Sequence, residues 1–257
     1  MGDMQGSKYP GTRELDKLLY LDYEAGISMM FLRGHLMLEQ ALATLIELNA
    51  RGRAAALRLE RATFASKLSM CEGFGFIEPA LATALKAVNS ERNRLAHELN
   101  VRLEEENVSA LVGRFDPVHR ASVEAVVAAS AAEAHSYEAQ ASKRARALFE
   151  EGAPEVENLI AAYASEARAV RLLKATFLVL GMALGHEIQM LRYRSEFGDK
   201  IEAYRMACAI AEVEQTGATP ASIREHLGLP EEPDPRVALG ALFAGPTSPS
   251  GSGGPTE

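Results

Sequence analysis

Apolar residues recur at helical spacing along most of this chain, and no segment shows the apolar–polar alternation of a strand. In the first such segment, Ile27, Phe31, Leu38, Leu42 and Leu45 fall on one side of a helix. Alanine, the best helix former, is abundant in many of the other segments. The pattern therefore predicts an all-α fold, a helical bundle in which the apolar faces are buried against one another.

Capping and breaking residues set the predicted helix ends. Asn49 and Gly52 end the first helix, Pro79 fits a first turn, and Gly152-Ala153-Pro154 combines a stop with a start. We predict helices over about 20–49, 53–71, 79–99, 104–116, 117–151, 155–193 and 199–214, and a last short helix from Thr219-Pro220 to Gly228.

The most apolar run extends from Ala175 to Gly185, between Lys174 and His186. It is about half as long as the ~20 residues that a membrane helix needs. We therefore predict that 155–193 is the central core helix and that the protein does not bind membrane. The N-terminus lacks the apolar segment of a secretory signal. A cytoplasmic protein is the expectation.

Four regions are predicted from composition. Residues 1–19 form a loose N-terminus, 20–116 a helical core, 117–228 a long helical pair with short helices, and 229–257 a disordered tail. The tail holds six of the eleven prolines together with Gly and Ser. Residues 237–243 are open to two interpretations, a small docking segment or plain disorder.

Charge and cysteine content narrow the function classes. The net charge of −8 argues against indiscriminate nucleic-acid binding over the whole surface. A local basic patch is present in residues 51–67. Cys71 and Cys208 lie far apart without metal-ligand spacing, so we expect reduced thiols, no metal and no cofactor.

The segment from Arg92 to His97 carries the most specific chemistry. The apolar stripe Leu81, Leu85, Val88 places Arg92 at the next predicted core position. A second stripe is polar, and it consists of Lys86, Ser90, Asn93 and His97. A buried arginine is costly unless it is paired or faces a polar cleft. A cation, an amide and an imidazole at one seam suit phosphodiester binding and cleavage.

Arg92-Asn93, three residues and His97 resemble the signature of the HEPN superfamily of helical bundles. The stretches HLMLEQAL, ATFASKLSMCEGFGFI and RNRLAH are similar to the branch that includes the mannitol-operon repressor. The resemblance covers residues 20–100, and the helix near 175–190 is the candidate to close the bundle. The tyrosine two positions after the histidine in toxins paired with nucleotidyltransferase antitoxins is absent, because Leu99 stands there.

The resemblance implies a metal-independent endoribonuclease, with a role in stress response or phage defence. RNA supplies the 2′-hydroxyl nucleophile, and His97 would move the proton. Arg92 would hold the phosphate, and Asn93 would orient the imidazole or the phosphate. Arg94 and Lys86 are the candidate substrate-binding cations. A protein partner such as an antitoxin is a further possibility that the resemblance leaves open.

Assembly follows from helix geometry. Arg92 and His97 are five residues apart, about 140° around a helix, so one copy makes a poor site. In the family two motif helices meet across a dimer, and we expect a homodimer with its axis near 92–97. Gly34, beside His35 on the first helix, would admit the partner helix closely.

The main alternative is a non-catalytic regulatory or scaffold protein that binds a protein or nucleic acid. A purely structural explanation is also open. In that case Arg92 pairs with an acid such as Glu39 and His97 caps its helix end.

Overall fold

A computed structural model describes residues 26–50, 58–97, 103–130, 154–214 and 217–238 of the chain. These residues form an all-α fold without strands, as the periodicity predicted. The seven helices are α1 Gly26–Asn49, α2 Phe64–Gly73, α3 Pro79–His97, α4 Glu105–Gly113, α5 Pro117–Ala129, α6 Pro154–Glu214 and α7 Pro220–His226, and Pro235–Val237 adds a 3₁₀ turn. None of these helices combines the length and apolarity needed to cross a membrane.

The core is built around the middle of α6, which packs against α1, α4 and α5. Its fully buried residues include Leu173, Phe177, Leu180, Leu184 and Ile188, within or next to the run that the sequence marked as the core helix. The ring of Phe177 meets Phe31 of α1 edge-on, with centroids 5.7 Å apart. Burial of these large side chains is the main favourable term for the fold.

Gly34 makes the close approach of α1 and α6 possible. A Cβ added to this residue would lie 2.4 Å from the Phe177 ring, well inside contact distance. The sequence prediction assigned the space beside Gly34 to a partner helix from a second copy. In the structure this space is filled from within the chain.

The second helix is shorter than predicted. Residues 58–61 form a turn, Arg58 has a positive φ of 47°, and α2 starts only after Thr63. The Thr63 side chain accepts a hydrogen bond from Ser66 N at 3.2 Å, a typical N-cap. The predicted start at residue 53 is therefore wrong for 58–63, and 53–57 lie outside the described residues.

The helix predicted over 117–151 ends early. Asp116 caps the start of α5, with its Oδ1 accepting from Val118 N at 2.8 Å. Ser130, with φ −88° and ψ 1°, ends the helix at Ala129. The side chain of Ser130 donates to Val127 O, which competes with continuation of the helix. Residues 131–151 lie outside the described part.

Two helices predicted separately, 155–193 and 199–214, are one element, α6. The predicted break between them is only a bend, where Phe197 has φ −117° and ψ 16°. Gly198 follows at once, but the apolar residues on both sides keep the helix continuous.

The predicted tail begins too early. Residues 229–238 pack on α6: Leu229 and Ala238 are buried, and Tyr193 donates its hydroxyl to Pro230 O at 2.7 Å. Arg224 donates to the same carbonyl at 2.8 Å. Composition suggested disorder, but these contacts fix the backbone. We call 229–238 the C-terminal strap. Residues 1–19 and 239–257 lie outside the described part.

Candidate functional site

The predicted motif lies on the last two turns of α3, which runs without interruption to His97. Arg92, Asn93 and His97 are exposed there. Arg92 Nη1 donates to Asn93 Oδ1 at 3.3 Å, so these two side chains are brought together. Because the helix is continuous to His97, its imidazole diverges from Arg92 by about 140°. One copy therefore assembles two of the three groups.

Arg92 does not occupy the core seam, contrary to the sequence prediction. The buried face of α3 continues from Leu81, Ala84 and Val88 to Glu91, which is 4% exposed. A step of three residues follows a helix face as well as a step of four. The apolar stripe therefore turns to position 91, and Arg92 is rotated about 100° away from it.

Glu91 forms a buried carboxylate held by two arginines. Its Oε1 accepts from Arg94 Nη2 at 2.6 Å and Nε at 3.0 Å, and its Oε2 accepts from Arg114 Nη2 at 3.0 Å. Arg114 is the C-cap residue of α4. The cluster therefore ties the motif turn of α3 to the end of α4. Sequence reasoning missed Glu91, although its three-residue step from Val88 was visible.

The two predicted substrate-binding cations are both in ion pairs. Arg94 is bound to buried Glu91, as described above. Lys86 Nζ lies 2.7 Å from Glu72 Oε1 of α2, and both side chains are more than one third exposed. An exposed pair of this kind contributes little and exchanges readily with other anions. Lys86 therefore remains accessible, whereas Arg94 has a structural partner.

The alternative in which Arg92 pairs with Glu39 is not realised. Glu39 Oε1 binds Lys67 Nζ of α2 at 2.8 Å, and Lys67 is buried. Among the described residues Arg92 forms no ion pair, because the two nearest candidate acids are bound elsewhere. An exposed guanidinium beside an amide is thus left on the α3 surface.

A buried imidazole, His35 of α1, lies beneath this surface. Its ring stacks on Phe64 at 4.4 Å, and its Nε2 is 3.4 Å from Asn89 Oδ1. Burial lowers the pKa of His35 and Arg92 lowers it further, while the Asn89 hydrogen bond and the charge of Glu39 oppose this shift. His35 is therefore held neutral near Arg92. The sequence had given it only a minor chance of belonging to the site.

Exposed apolar side chains adjoin the motif. His35 meets Asn89, and Ser28 Oγ accepts from Leu103 N, so α1 and α3 run antiparallel. The N-terminal half of α1 therefore lies beside the motif turns. On its solvent side Leu36 is 61% and Met29 is 40% exposed. Apolar side chains left in water beside a polar motif are typical of an interaction surface.

Two other features bear on the kind of site. An open depression lies on α2, away from the motif, lined by Ala65, Ser66, Ser69, Met70, Gly73 and Phe74. Within the described residues, His, Cys, Asp and Glu side chains form no group of three or more that could hold a metal ion. Cys71 is a buried thiol whose pKa is raised to about 12 by burial. It is therefore no nucleophile.

Comparison of the chain with protein-family models, with curated proteins and with solved structures found no match.

Proposed function

We propose that this protein is a metal-independent endoribonuclease of the HEPN type that acts as a homodimer. The observation that carries the proposal is the exposed Arg92–Asn93 pair on α3, whose guanidinium forms no ion pair among the described residues. A structural arginine would be expected to bind one of the nearby acids. A phosphate-binding arginine must instead be accessible and electrostatically uncompensated.

The reaction follows from the residue types. The RNA 2′-oxygen attacks phosphorus as His97 removes its proton, and the bond from phosphorus to the 5′-oxygen breaks. That oxygen takes up a proton, which leaves a 2′,3′-cyclic phosphate and a 5′-hydroxyl. Arg92 stabilises the charge that builds up on the phosphoryl oxygens, and Asn93 holds the guanidinium in place.

The dimer supplies the missing geometry. Because Arg92 and His97 diverge on one helix, the proposal places Arg92 of one copy opposite His97 of the other, across a two-fold axis. Leu36 and Met29 would be covered in the same interface, which accounts for their exposure in one chain. Axis, motif and apolar residues then belong to a single surface.

Cleavage of a labelled RNA in excess chelator tests the chemistry. We expect His97→Ala to lower the rate by about 10²–10⁴-fold. His226→Ala is the matched control, because His226 is likewise an exposed histidine at the last position of a helix. Arg92→Met should abolish cleavage and Arg120→Met, at another exposed arginine, should not. Cleavage that needs a metal, or survives His97→Ala, would refute the mechanism.

Mixing the two inactive variants tests the shared site. After subunit exchange, Arg92→Met and His97→Ala chains form mixed dimers in which one of two sites has both groups intact. Activity should return to about one quarter of the native level, since half of the dimers are mixed. Sites formed within one chain would give no recovery, and the dimeric arrangement would then be wrong.

A non-catalytic regulatory or scaffold protein is the second candidate. It is favoured by the ion pairs of Arg94 and Lys86, which reduce the free positive charge around the motif. This function predicts a dimer that binds its partner through the same surface without cleaving RNA. Unchanged partner binding by His97→Ala, together with inert RNA, would support it.

A further inference from the structure

The end of α6 beyond the bend at Phe197 has one covered side. Arg224 of α7 lies over the Tyr204 ring, 4.9 Å from its centroid, and Lys200 Nζ donates to Gly228 O at 3.2 Å. These contacts fix one side of residues 200–204 against α7 and the start of the C-terminal strap. They leave the opposite side of the helix without a partner in the described chain.

That opposite side is apolar. Met206 is 62% and Ile210 is 49% exposed, and both Ala203 and Ala209 are also exposed. Positions 203, 206 and 210 follow the three-then-four spacing of a helix-pairing seam. Met206 and Ile210 lie about 40° apart around the helix, so they form one stripe. We call Ala203, Met206 and Ile210 the α6 stripe.

Two opposite charges flank the stripe on one side. Arg205 and Glu212 are both exposed, and neither forms an ion pair within the described residues. They are seven residues apart, almost two full turns, and therefore lie on the same flank. A lone helix cannot pair charges at this separation. Two antiparallel copies bring each Arg205 close to the level of Glu212 in the other copy.

We infer that the α6 stripe is a self-association surface, occupied by a second copy of the chain in antiparallel orientation. The two-fold axis passes close to residue 208, so Met206 of each copy packs on Ile210 of the other. Arg205 and Glu212 then form two equivalent interchain pairs. A parallel pair would instead place each of these charges level with its own copy, where like charges repel.

The inference does not rest on the proposed function, because the stripe is on a different helix from the motif. The two surfaces can be separated by mutation. Leu36→Asp would disrupt the motif surface alone, and Met206→Glu the stripe alone. All mass measurements are therefore made in the full chain and in the Leu36→Asp background.

The test is a charge-swap series followed by light scattering over a range of protein concentrations. Arg205→Glu alone and Glu212→Arg alone should each shift association to higher concentration. The double variant R205E/E212R should restore it, because the pairs are regenerated with reversed polarity. Arg120→Glu, on α5, is the matched control and should change nothing. A Leu36→Asp protein that stays monomeric throughout, or a double variant that fails to recover, would overturn the proposal.

Cysteine cross-linking tests the orientation. In a Cys208→Ser background, chains carrying Met206→Cys are mixed with chains carrying Ile210→Cys. The antiparallel arrangement predicts a heterotypic disulfide that forms faster than either homotypic one. Faster homotypic linkage would indicate a parallel pair and would refute the orientation. Absence of any linkage, with far-ultraviolet circular dichroism unchanged, would refute the interface.

Discussion

At the scale of single residues, the surroundings of the motif depend on one position. Glu91 occupies the buried seam that the spacing assigned to Arg92, and this places Arg92 in solvent. The buried carboxylate binds Arg94 and Arg114, while Glu39 binds Lys67. The nearby acids are thus bound away from the motif, and the guanidinium of Arg92 keeps its charge available.

We expect the two directions of disrupting the Glu91 cluster to differ. Removing both arginines, Arg94→Met with Arg114→Met, leaves a carboxylate buried without a partner and should cost about 3–5 kcal/mol in unfolding free energy. Glu91→Ala should cost less, about 1–3 kcal/mol, because both arginines are partly exposed and regain water. Urea denaturation measures both values.

Lys86→Met is the control for this pair of measurements. It breaks the exposed contact with Glu72 and should change stability by about 0–1 kcal/mol. If Glu91→Ala were as harmless as Lys86→Met, the cluster would not anchor α3 to α4.

His35 predicts a pH dependence of stability. Burial, as the largest cause, lowers its pKa in the folded state below the ordinary value of 6.5, so the unfolded chain binds a proton first. Stability is therefore complete above about pH 6.5 and falls as the pH drops towards the lowered pKa. The charged groups next to the ring are Glu39 on α1 and Arg92 on α3, which act in opposite directions.

Melting temperatures of the native protein and of His35→Leu, measured from pH 7.5 to 5, test this expectation. The native protein should lose stability over the range, and the variant should lose less. His226→Ala, on exposed α7, should follow the native curve. Parallel curves for native protein and His35→Leu would show that His35 is not the responsible group.

At the scale of elements, periodicity predicted most helices and capping residues predicted several ends. The starts of α3, α5 and α7 follow Pro79, Asp116 and Thr219 as expected. The errors occurred where composition had to decide alone. Nothing in the alanine-rich sequence marks Ser130 as a helix end, and the Gly198 signal was outweighed by tertiary contacts on both sides of Phe197.

The motif shows the same limit at the level of the site. Spacing alone correctly placed Arg92, Asn93 and His97 on one helix and gave their divergence. Spacing could not distinguish position 91 from position 92 as the buried one, since both continue the stripe. Which of them is inside depends on Arg114, which comes from a different helix.

Gly34 and Phe177 provide the test at the scale of two packed helices. Gly34→Ala would place a methyl group against a fully buried ring and should destabilise the fold by about 1–3 kcal/mol through overpacking. Adding Phe177→Leu should recover part of this loss, because the smaller side chain leaves room. Gly73→Ala is the control, since a Cβ there meets nothing within 4 Å. Losses that simply add in the double variant would contradict direct contact.

At the scale of the whole molecule, α6 joins two regions of different character. Its middle is the core of the bundle, with Leu173, Leu184 and Ile188 fully buried. Its end carries Met206 and Ile210 in solvent. The proposed motif surface and the α6 stripe are each self-complementary, and two such surfaces on one chain do not stop at a dimer. They close into a tetramer if their axes cross at right angles, and otherwise extend into a filament.

The bend at Phe197 gives the end of α6 the geometry of a lever arm. Glu214 lies 17 positions beyond it, about 26 Å along the helix at 1.5 Å per residue. A rotation of only ~10° at this point would therefore carry Glu214 sideways by about 4 Å, close to the width of one methylene contact. Small repacking of the strap against Tyr193 is thus converted into a large displacement far from the core.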